Sequence, residues 1–305
     1  MILELDVRQL PPREKHPTIF SKFDNLGNGE AIIILNDHDP KPLYYQMLAD
    51  RGNCFEWEYL KEGPDEWVVK IIKREKTIGE IAASDLRKAK IFMKYGIDFC
   101  CGGKKSLKEA CDEIGVDYYK LNEELKRSNK GDPELDFNSM PLYELTQYIV
   151  NKHHQYIKQN QDILVELTEK VKERHSDKHP ELKEVYHSFM SLINELHKHL
   201  MKEENILFPY IESLSSGKSV STPFGTLENP IRVMFYEHDV AGDLIKKIRE
   251  HSNQYQIPED ACGSYSTLYQ LLKEFDEDLM LHIHLENNIL FPRSIELENQ
   301  LKNSK

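Results

Sequence analysis

The segment His199-Leu-Met-Lys-Glu203-Glu-Asn-Ile-Leu-Phe-Pro209 recurs 83 residues later as His282-Ile-His-Leu-Glu286-Asn-Asn-Ile-Leu-Phe-Pro292. In both copies a histidine precedes a glutamate by four positions. On an α-helix, residues i and i+4 project from one face a turn apart, so each copy offers an imidazole and a carboxylate to the same point in space. Two helices must therefore lie side by side with these faces turned to a shared interior. A duplicated ligand pair implies two metals.

The surrounding pattern supplies the helices. From Met140 onward apolar residues recur at helical spacing, as in Leu142, Leu145, Ile149 and in Leu164, Leu167, Val171. Similar stripes run through Leu192, Leu196, Leu200 and through Leu268, Leu271, Leu272, Phe275. Four helices are predicted, roughly 140 to 174, 181 to 213, 229 to 252 and 261 to 297, with the Ser-, Gly- and Pro-rich connection Ser215–Asn229 separating two hairpins. A four-helix bundle over 133–305 gives every apolar stripe a partner.

Two smaller segments precede it. Residues 1–75 read as a small βαβαββ sandwich. Leu3, Leu5 and Val7 alternate as a strand, a helix runs from Pro17 to Leu26, and Ala31–Leu35 is an apolar strand. A helix over Leu43–Ala49 follows, then a hairpin of Cys54–Tyr59 and Trp67–Ile72. Residues 76–132 read as a short three-helix domain. Thr77 with Glu80, and Ser106 with Glu109, are capping boxes starting helices near Ile78 and Leu107, and a third helix spans Tyr118–Lys126. Ser128–Pro133 is a polar exit linker. The fold class is α+β multidomain.

Charge and composition narrow the function. With 40 Lys+Arg against 52 Asp+Glu and a net charge of -12, the chain would be repelled by phosphate backbones, so nucleic acid is excluded as a partner. No run reaches the ~18 apolar residues of a membrane span, and the N-terminus lacks the basic start and apolar core of a signal peptide. Five cysteines, two of them adjacent at Cys100 and Cys101, do not form the framework of a secreted protein. The expectation is a cytoplasmic protein with reduced thiols and no membrane association.

Of 13 histidines, 11 lie between His153 and His284. The repeat selects among them: a shift of 84 carries His154 onto His238, and a shift of 83 carries His199 and Glu203 onto His282 and Glu286. It also discards competitors, because Glu204 maps onto Asn287 and His153 onto Glu237. His197 and His284 stand two positions from the selected histidines, about 200° around the helix, and are expected at the surface or behind the ligands. The set is His154, His199, Glu203, His238, His282 and Glu286. With both carboxylates bridging, two imidazoles on each metal and a solvent-derived bridge, an octahedral metal keeps one position open for a small ligand. Mixed imidazole and carboxylate ligation in a bundle favours iron over a closed structural zinc site, with manganese and paired zinc as alternatives. A single buried histidine is often a core residue with satisfied hydrogen bonds, but six ligand-type side chains on core faces are costly to bury without a cation.

The His-x-x-x-Glu-Asn/Glu-Asn-Ile-Leu-Phe-Pro repeats resemble hemerythrin-like domains, and with Tyr95-Gly-Ile-Asp-Phe-Cys-Cys-Gly-Gly-Lys104 upstream the chain resembles the iron-sulfur cluster repair di-iron proteins. Residues 1–75, through Asn36-Asp-His-Asp-Pro-Lys-Pro42, are similar to an extra uncharacterised domain fused to some members. The resemblance implies two non-haem iron ions with an oxo or hydroxo bridge at the same six residues. It also implies damaged iron-sulfur proteins as partners, and nitric oxide or O2 as small ligands. Oxygen-carrying hemerythrins use more histidines and an aspartate, so the departure here argues against reversible oxygen transport. A homodimer is among the assemblies this reading allows.

Cys100 and Cys101 precede the helix capped by Ser106 and neighbour Lys104 and Lys105, where dipole and charge would both lower a thiol pKa. A redox role for the pair stands beside the plainer one of two buried thiols at a glycine turn. Adjacent cysteines are expected to be poorly placed for one metal or an unstrained disulfide. Cys54, Cys111 and Cys262 are expected as packing residues, and His16 and His38 as metal or haem ligands or, for His38 between Asp37 and Asp39, an ordinary turn. Three functions follow: repair of clusters by iron donation or removal of nitric oxide, reduction of nitric oxide to nitrous oxide, and sensing of O2 or nitric oxide.

Overall fold

The computed structural model describes residues 2–51, 54–128, 136–217 and 224–303. Residues 129–133 of the polar linker anticipated at Ser128–Pro133, and residues 218–223 of the connection after Ser215, lie outside the described residues. The chain divides into two compact units, Met1–Glu80 and Ile81–Lys305.

The first unit is a four-stranded sheet in the order β1-β2-β4-β3, built from β1 (Ile2–Asp6), β2 (Ala31–Asn36), β3 (Phe55–Lys61) and β4 (Trp67–Lys73). The first two strands are parallel, as a connection through helix α1 (Pro12–Asp24) requires, and the other pairings are antiparallel. The alternation seen in the sequence becomes register: Leu3, Ile32, Ile71 and Trp57 stand in one row, and Leu5, Ile34, Val69 and Tyr59 in the next. Ile19, Phe20 and Phe23 of α1 and Leu43 and Met47 of α2 (Lys41–Arg51) complete this core. Both helices start earlier than predicted, at Pro12 and Lys41. Asp39 accepts from the backbone N–H of Lys41 at 3.0 Å and from the Tyr59 hydroxyl at 2.8 Å, the exposed His38 ring meets Asp37, and the His38 carbonyl accepts from the Asn36 side chain at 2.9 Å, so the Asp-His-Asp segment is a turn.

Helix α3 (Ile78–Ala83) begins at the predicted capping box, Thr77 and Glu80 exchanging both hydrogen bonds. The second box, at Ser106, starts α5 (Leu107–Ile114). Between them lies a helix absent from the prediction, α4 (Leu86–Tyr95), which Asp85 caps through the Arg87 N–H and Gly96 ends at φ 73°. With α6 (Tyr118–Arg127) there are four short helices rather than three. The missed one had ordinary start and stop residues, Asp85 and Gly96, but no capping-box glutamate.

Four long helices follow, at 142–175, 182–215, 228–251 and 263–303. Three of them contain a π-helical turn: Val150–His154, Glu203–Leu207 and Glu286–Leu290. The last two have a cause in the repeat itself. Pro209 and Pro292 carry no N–H, and their rings crowd the carbonyl four residues back, so the helix widens just before them. Nothing in the sequence explains the turn at Val150. No described helix is long and apolar enough to cross a membrane.

The last hairpin is clamped where it turns. Arg249 forks onto buried Asp276 with two bonds of 2.6 Å, and the Tyr255 hydroxyl donates to Asp276 at 2.7 Å. This holds Asn253, Gln254 and Tyr255 in the left-handed region, at φ 48°, 57° and 61°, which costs non-glycine residues energy. Replacing Asp276 strands the guanidinium. Asp276→Ala is expected to lower unfolding stability by about 3–5 kcal/mol in a denaturant titration, and Tyr255→Phe by about 1 kcal/mol. Equal losses for the two variants would show that the ion pair is not what holds the turn.

Candidate metal centre

All six residues selected by the repeat converge inside the bundle, one histidine from each helix and a glutamate from the second and fourth. Glu203, Glu286, His154 and His282 have no exposed surface, and His199 and His238 almost none. The π turns lie at three of these positions, ending on His154 and beginning at Glu203 and at Glu286. Apolar layers close the site: His154 stacks on Phe208 and His238 on Phe291, while Leu196, Leu200, Leu279 and Ile283 are buried on either side.

The side chains form two pockets that share both carboxylates. In one, the Nε2 atoms of His154 and His282 are 3.1 Å apart; in the other, those of His199 and His238 are 3.0 Å apart. Glu203 reaches His199 Nε2 with Oε1 at 3.2 Å and His154 Nε2 with Oε2 at 3.4 Å. Glu286 mirrors it, with Oε1 at 3.0 Å from His282 and Oε2 at 3.2 Å from His238. Each carboxylate thus turns one oxygen to each pocket.

A cation among these groups would resolve an electrostatic conflict. The Nδ1 atoms of His154, His199 and His238 face acceptors: Glu204 at 2.8 Å, Glu237 at 2.9 Å and the Asn287 side-chain oxygen at 2.7 Å. These acceptors place the ring proton on Nδ1 and leave a lone pair on Nε2, the tautomer a metal ligand needs. Lone pairs then face each other across the His199 and His238 pocket, and His154 turns one toward His282 in the other, beside buried carboxylate oxygens, three of which, both of Glu203 and Oε2 of Glu286, have no aligned hydrogen bond. Without a metal only protons can compensate. Burial opposes charging His154, yet Glu203 and Glu204 raise it to about 9. Burial likewise opposes charging His199, which Glu203 and Glu237 raise to about 10. Burial works against the ionised form of Glu286 too, but His282 and His238 hold it well below the usual carboxylate range. Carboxylate and imidazole groups so arranged fit hard or borderline cations such as iron.

Family models match three consecutive segments: an uncharacterized conserved protein (DUF2249) over residues 4–73, a domain of unknown function (DUF542) over 74–129, and the hemerythrin HHE cation binding domain over 146–294. The iron-sulfur cluster repair protein YtfE of Musicola paradisiaca (strain Ech703) is 35% identical over 223 residues, covering 73% of this chain and 97% of that protein. The YtfE proteins of Escherichia coli O157:H7 and O81 (strain ED1a) match over the same shares at 35% and 36%. The chain belongs to the iron-sulfur cluster repair protein family.

Several residues of this family member escaped the sequence reading. Glu204, which the repeat carries onto Asn287, does the same job as that asparagine: each accepts from the Nδ1 of a histidine on another helix. Glu237 does the same for His199; Lys158 donates to both oxygens of Glu204, and Lys202 holds the outer oxygen of Glu237. His153, which the repeat pairs with Glu237, instead stacks flat on His282 at 5.7 Å and meets Asp278 at 3.0 Å. Requiring identical residue types in both halves hid this layer; requiring any acceptor would have found Glu204 and Asn287. His197 is exposed as expected. His284 is wholly buried, set against Phe99 at 5.1 Å, and burial lowers its pKa to about 3.

Cys100 and Cys101 lie outside the six-residue cluster but against its wall. Asn287, which accepts from His238, donates to the Cys100 carbonyl at 3.2 Å, and Cys101 Sγ sits 3.4 Å from the His238 carbonyl. The expected lowering of the thiol pKa does not occur at Cys100, where neighbouring Cys101, burial and Asp98 all raise it well above the ordinary value. Ser106 and Glu109 already occupy the N-terminal N–H groups of α5, and Lys105 pairs with Glu113 instead. Cys111 is buried and Cys54, half-buried, packs against the core of the first unit, both as predicted, whereas Cys262 lies 3.1 Å from His175 Nε2. Asn287→Ala removes the acceptor that orients His238. It is expected to weaken cation affinity about 10–100-fold, measured by competition with a chelator, while the fold persists by circular dichroism.

Proposed function

We propose that this protein holds two iron ions, joined by an oxo or hydroxo bridge and by both carboxylates, and that it restores iron-sulfur clusters damaged by nitrosative or oxidative stress by supplying iron to the damaged protein. The observation that carries the reading is the position of Glu203 and Glu286, each with one oxygen toward either pair of histidines. Membership of the repair family supports the same role. A cytoplasmic setting, in which thiols stay reduced, belongs to the proposal.

The charge of the site supports donation rather than tight storage. The six side chains contribute only two negative charges, and the carboxylates behind them, Glu204 and Glu237, are each balanced by a lysine. Cations so sparingly neutralised are held less firmly than among many carboxylates. The bound iron would supply Lewis acidity, a change of oxidation state and a position for nitric oxide or O2. The chain's own residues hold the imidazoles in one tautomer, and Phe208 and Phe291 keep bulk water from two of them.

Donation is tested by mixing iron-loaded protein with a dehydratase whose cluster has lost iron, under reducing conditions. Activity should return faster than with the same amount of free iron plus a chelator, and equal or slower recovery would reject donation. Bridging has its own test in the iron content and Mössbauer spectrum of variants. His282→Ala should lose about one iron per chain, whereas Glu203→Ala should deplete both. Loss of a single ion in Glu203→Ala would mean that this carboxylate serves one pocket only.

A further inference from the structure

A second cluster of ligand-type atoms lies in the loop before α5. One carboxylate oxygen of Asp98 and the Sγ atoms of Cys100 and Cys101 all fall within 4.8 Å of one another. Although adjacent in sequence, the two thiols point to the same side: their sulfurs are 3.7 Å apart, and Cys100 Sγ is 3.3 Å from Asp98 Oδ1. A fourth soft atom is at hand, since Met280 Sδ lies 3.6 Å from Cys100 Sγ. This departs from the expectation that neighbouring cysteines are poorly placed for one metal.

The separations match a tetrahedral ion. Sulfurs ~2.3 Å from a central zinc stand ~3.8 Å from each other, and a carboxylate oxygen ~2.0 Å from it stands ~3.5 Å from each sulfur. A disulfide does not fit, because S–S bonding needs ~2.05 Å and the Cα atoms of neighbours, ~3.8 Å apart, are closer than such bridges usually allow. The backbone is also arranged around the thiols. A Cβ at Gly242 would come within 3.2 Å of Cys101 Sγ, and one at Gly102 within 2.8 Å of the Asp98 carbonyl. Asp98 Oδ1 is aimed at the loop by the N–H groups of Cys100 and Cys101, at 3.1 and 3.0 Å.

The geometry points to a second cation site, separate from the histidine and glutamate cluster, in which Asp98, Cys100 and Cys101 bind a thiophilic divalent ion of the zinc class, with Met280 or solvent as fourth ligand. Binding exchanges the two thiol protons for the cation, releasing them to solvent. Two thiols and a carboxylate crowded together, one thiol buried, cannot all be anionic unless a positive ion joins them. That is why Cys100 resists ionisation on its own. Cys101, half-buried, leaves a route in from solvent. The site stands independently of the repair reading, since it uses none of the six residues.

Cobalt is the probe, because thiolate coordination produces intense sulfur-to-cobalt charge-transfer bands in the near ultraviolet, whereas imidazole and carboxylate ligands do not. Iron-loaded full-length protein, kept reduced, is titrated with Co2+. The expected result is saturation of those bands at one equivalent, together with tetrahedral bands in the visible and displacement by zinc. Cys101→Ser should abolish the charge-transfer bands or cut affinity at least a hundredfold, and Asp98→Asn about tenfold, with iron content and circular dichroism unchanged. Met280→Leu tells whether the thioether is the fourth ligand: a shift of the visible bands assigns it, and no change assigns solvent. The proposal is overturned by weak six-coordinate bands alone, or by sulfur bands that survive in Cys101→Ser. Should Cys101→Ser misfold, Gly242→Ala, which crowds the Cys101 sulfur without removing a ligand, must still lower cobalt affinity. An unchanged affinity there would also overturn it.

Discussion

Two carboxylates without any exposed surface, Glu203 and Glu286, govern the architecture of the bundle. An ionised carboxylate buried alone would cost several kcal/mol, so its position dictates what must surround it. Here the surroundings are four imidazoles, one from each helix, spaced so that every carboxylate oxygen faces a ring nitrogen. All four helices must therefore be present and in register for any one of these side chains to be tolerable. The site holds the helices together, and the helices make the site bearable.

Register at the centre is adjusted locally. Three helices widen by a π turn at His154, Glu203 and Glu286, and in two of them the cause is a proline six residues beyond the glutamate. Behind the ligands, Glu204, Glu237 and Asn287 choose the tautomer, and the lysines on the two glutamates cancel their charge. Only His282 lacks such an acceptor among the described residues; it is stacked on His153 instead. The two halves of the repeat are thus alike in their ligands and unlike behind them, which makes the pockets chemically distinct.

The loop carrying Cys100 and Cys101 is joined to this wall at several points. Asn287 spans from His238 to the Cys100 carbonyl, Asn288 donates to the Phe99 carbonyl, and Phe99 itself lies against His284. The segment of short helices is therefore part of one unit with the bundle. The Cys101 sulfur lies against the His238 carbonyl, and Asn287 joins the loop to the histidine and glutamate cluster.

Helical periodicity and the fourfold spacing of His199 and Glu203, repeated at His282 and Glu286, determined the bundle and all six inward residues, because residues a turn apart share a face whatever the helix packs against. The alternation of Leu3 and Leu5, and the apolar run Ala31–Leu35, likewise determined the strands of the first unit. Helix α4 was legible too, in Asp85 and Gly96, but only to a reading that did not demand a glutamate in the first turn. What tertiary structure alone decided is which groups from different helices meet. His154 pairs with His282 and His199 with His238, Glu204 and Asn287 serve as equivalent acceptors, and the Cys100 and Cys101 sulfurs turn the same way beside Met280. Such contacts join positions as many as 189 residues apart. They depend on the rotation and offset of packed helices, which local spacing does not encode.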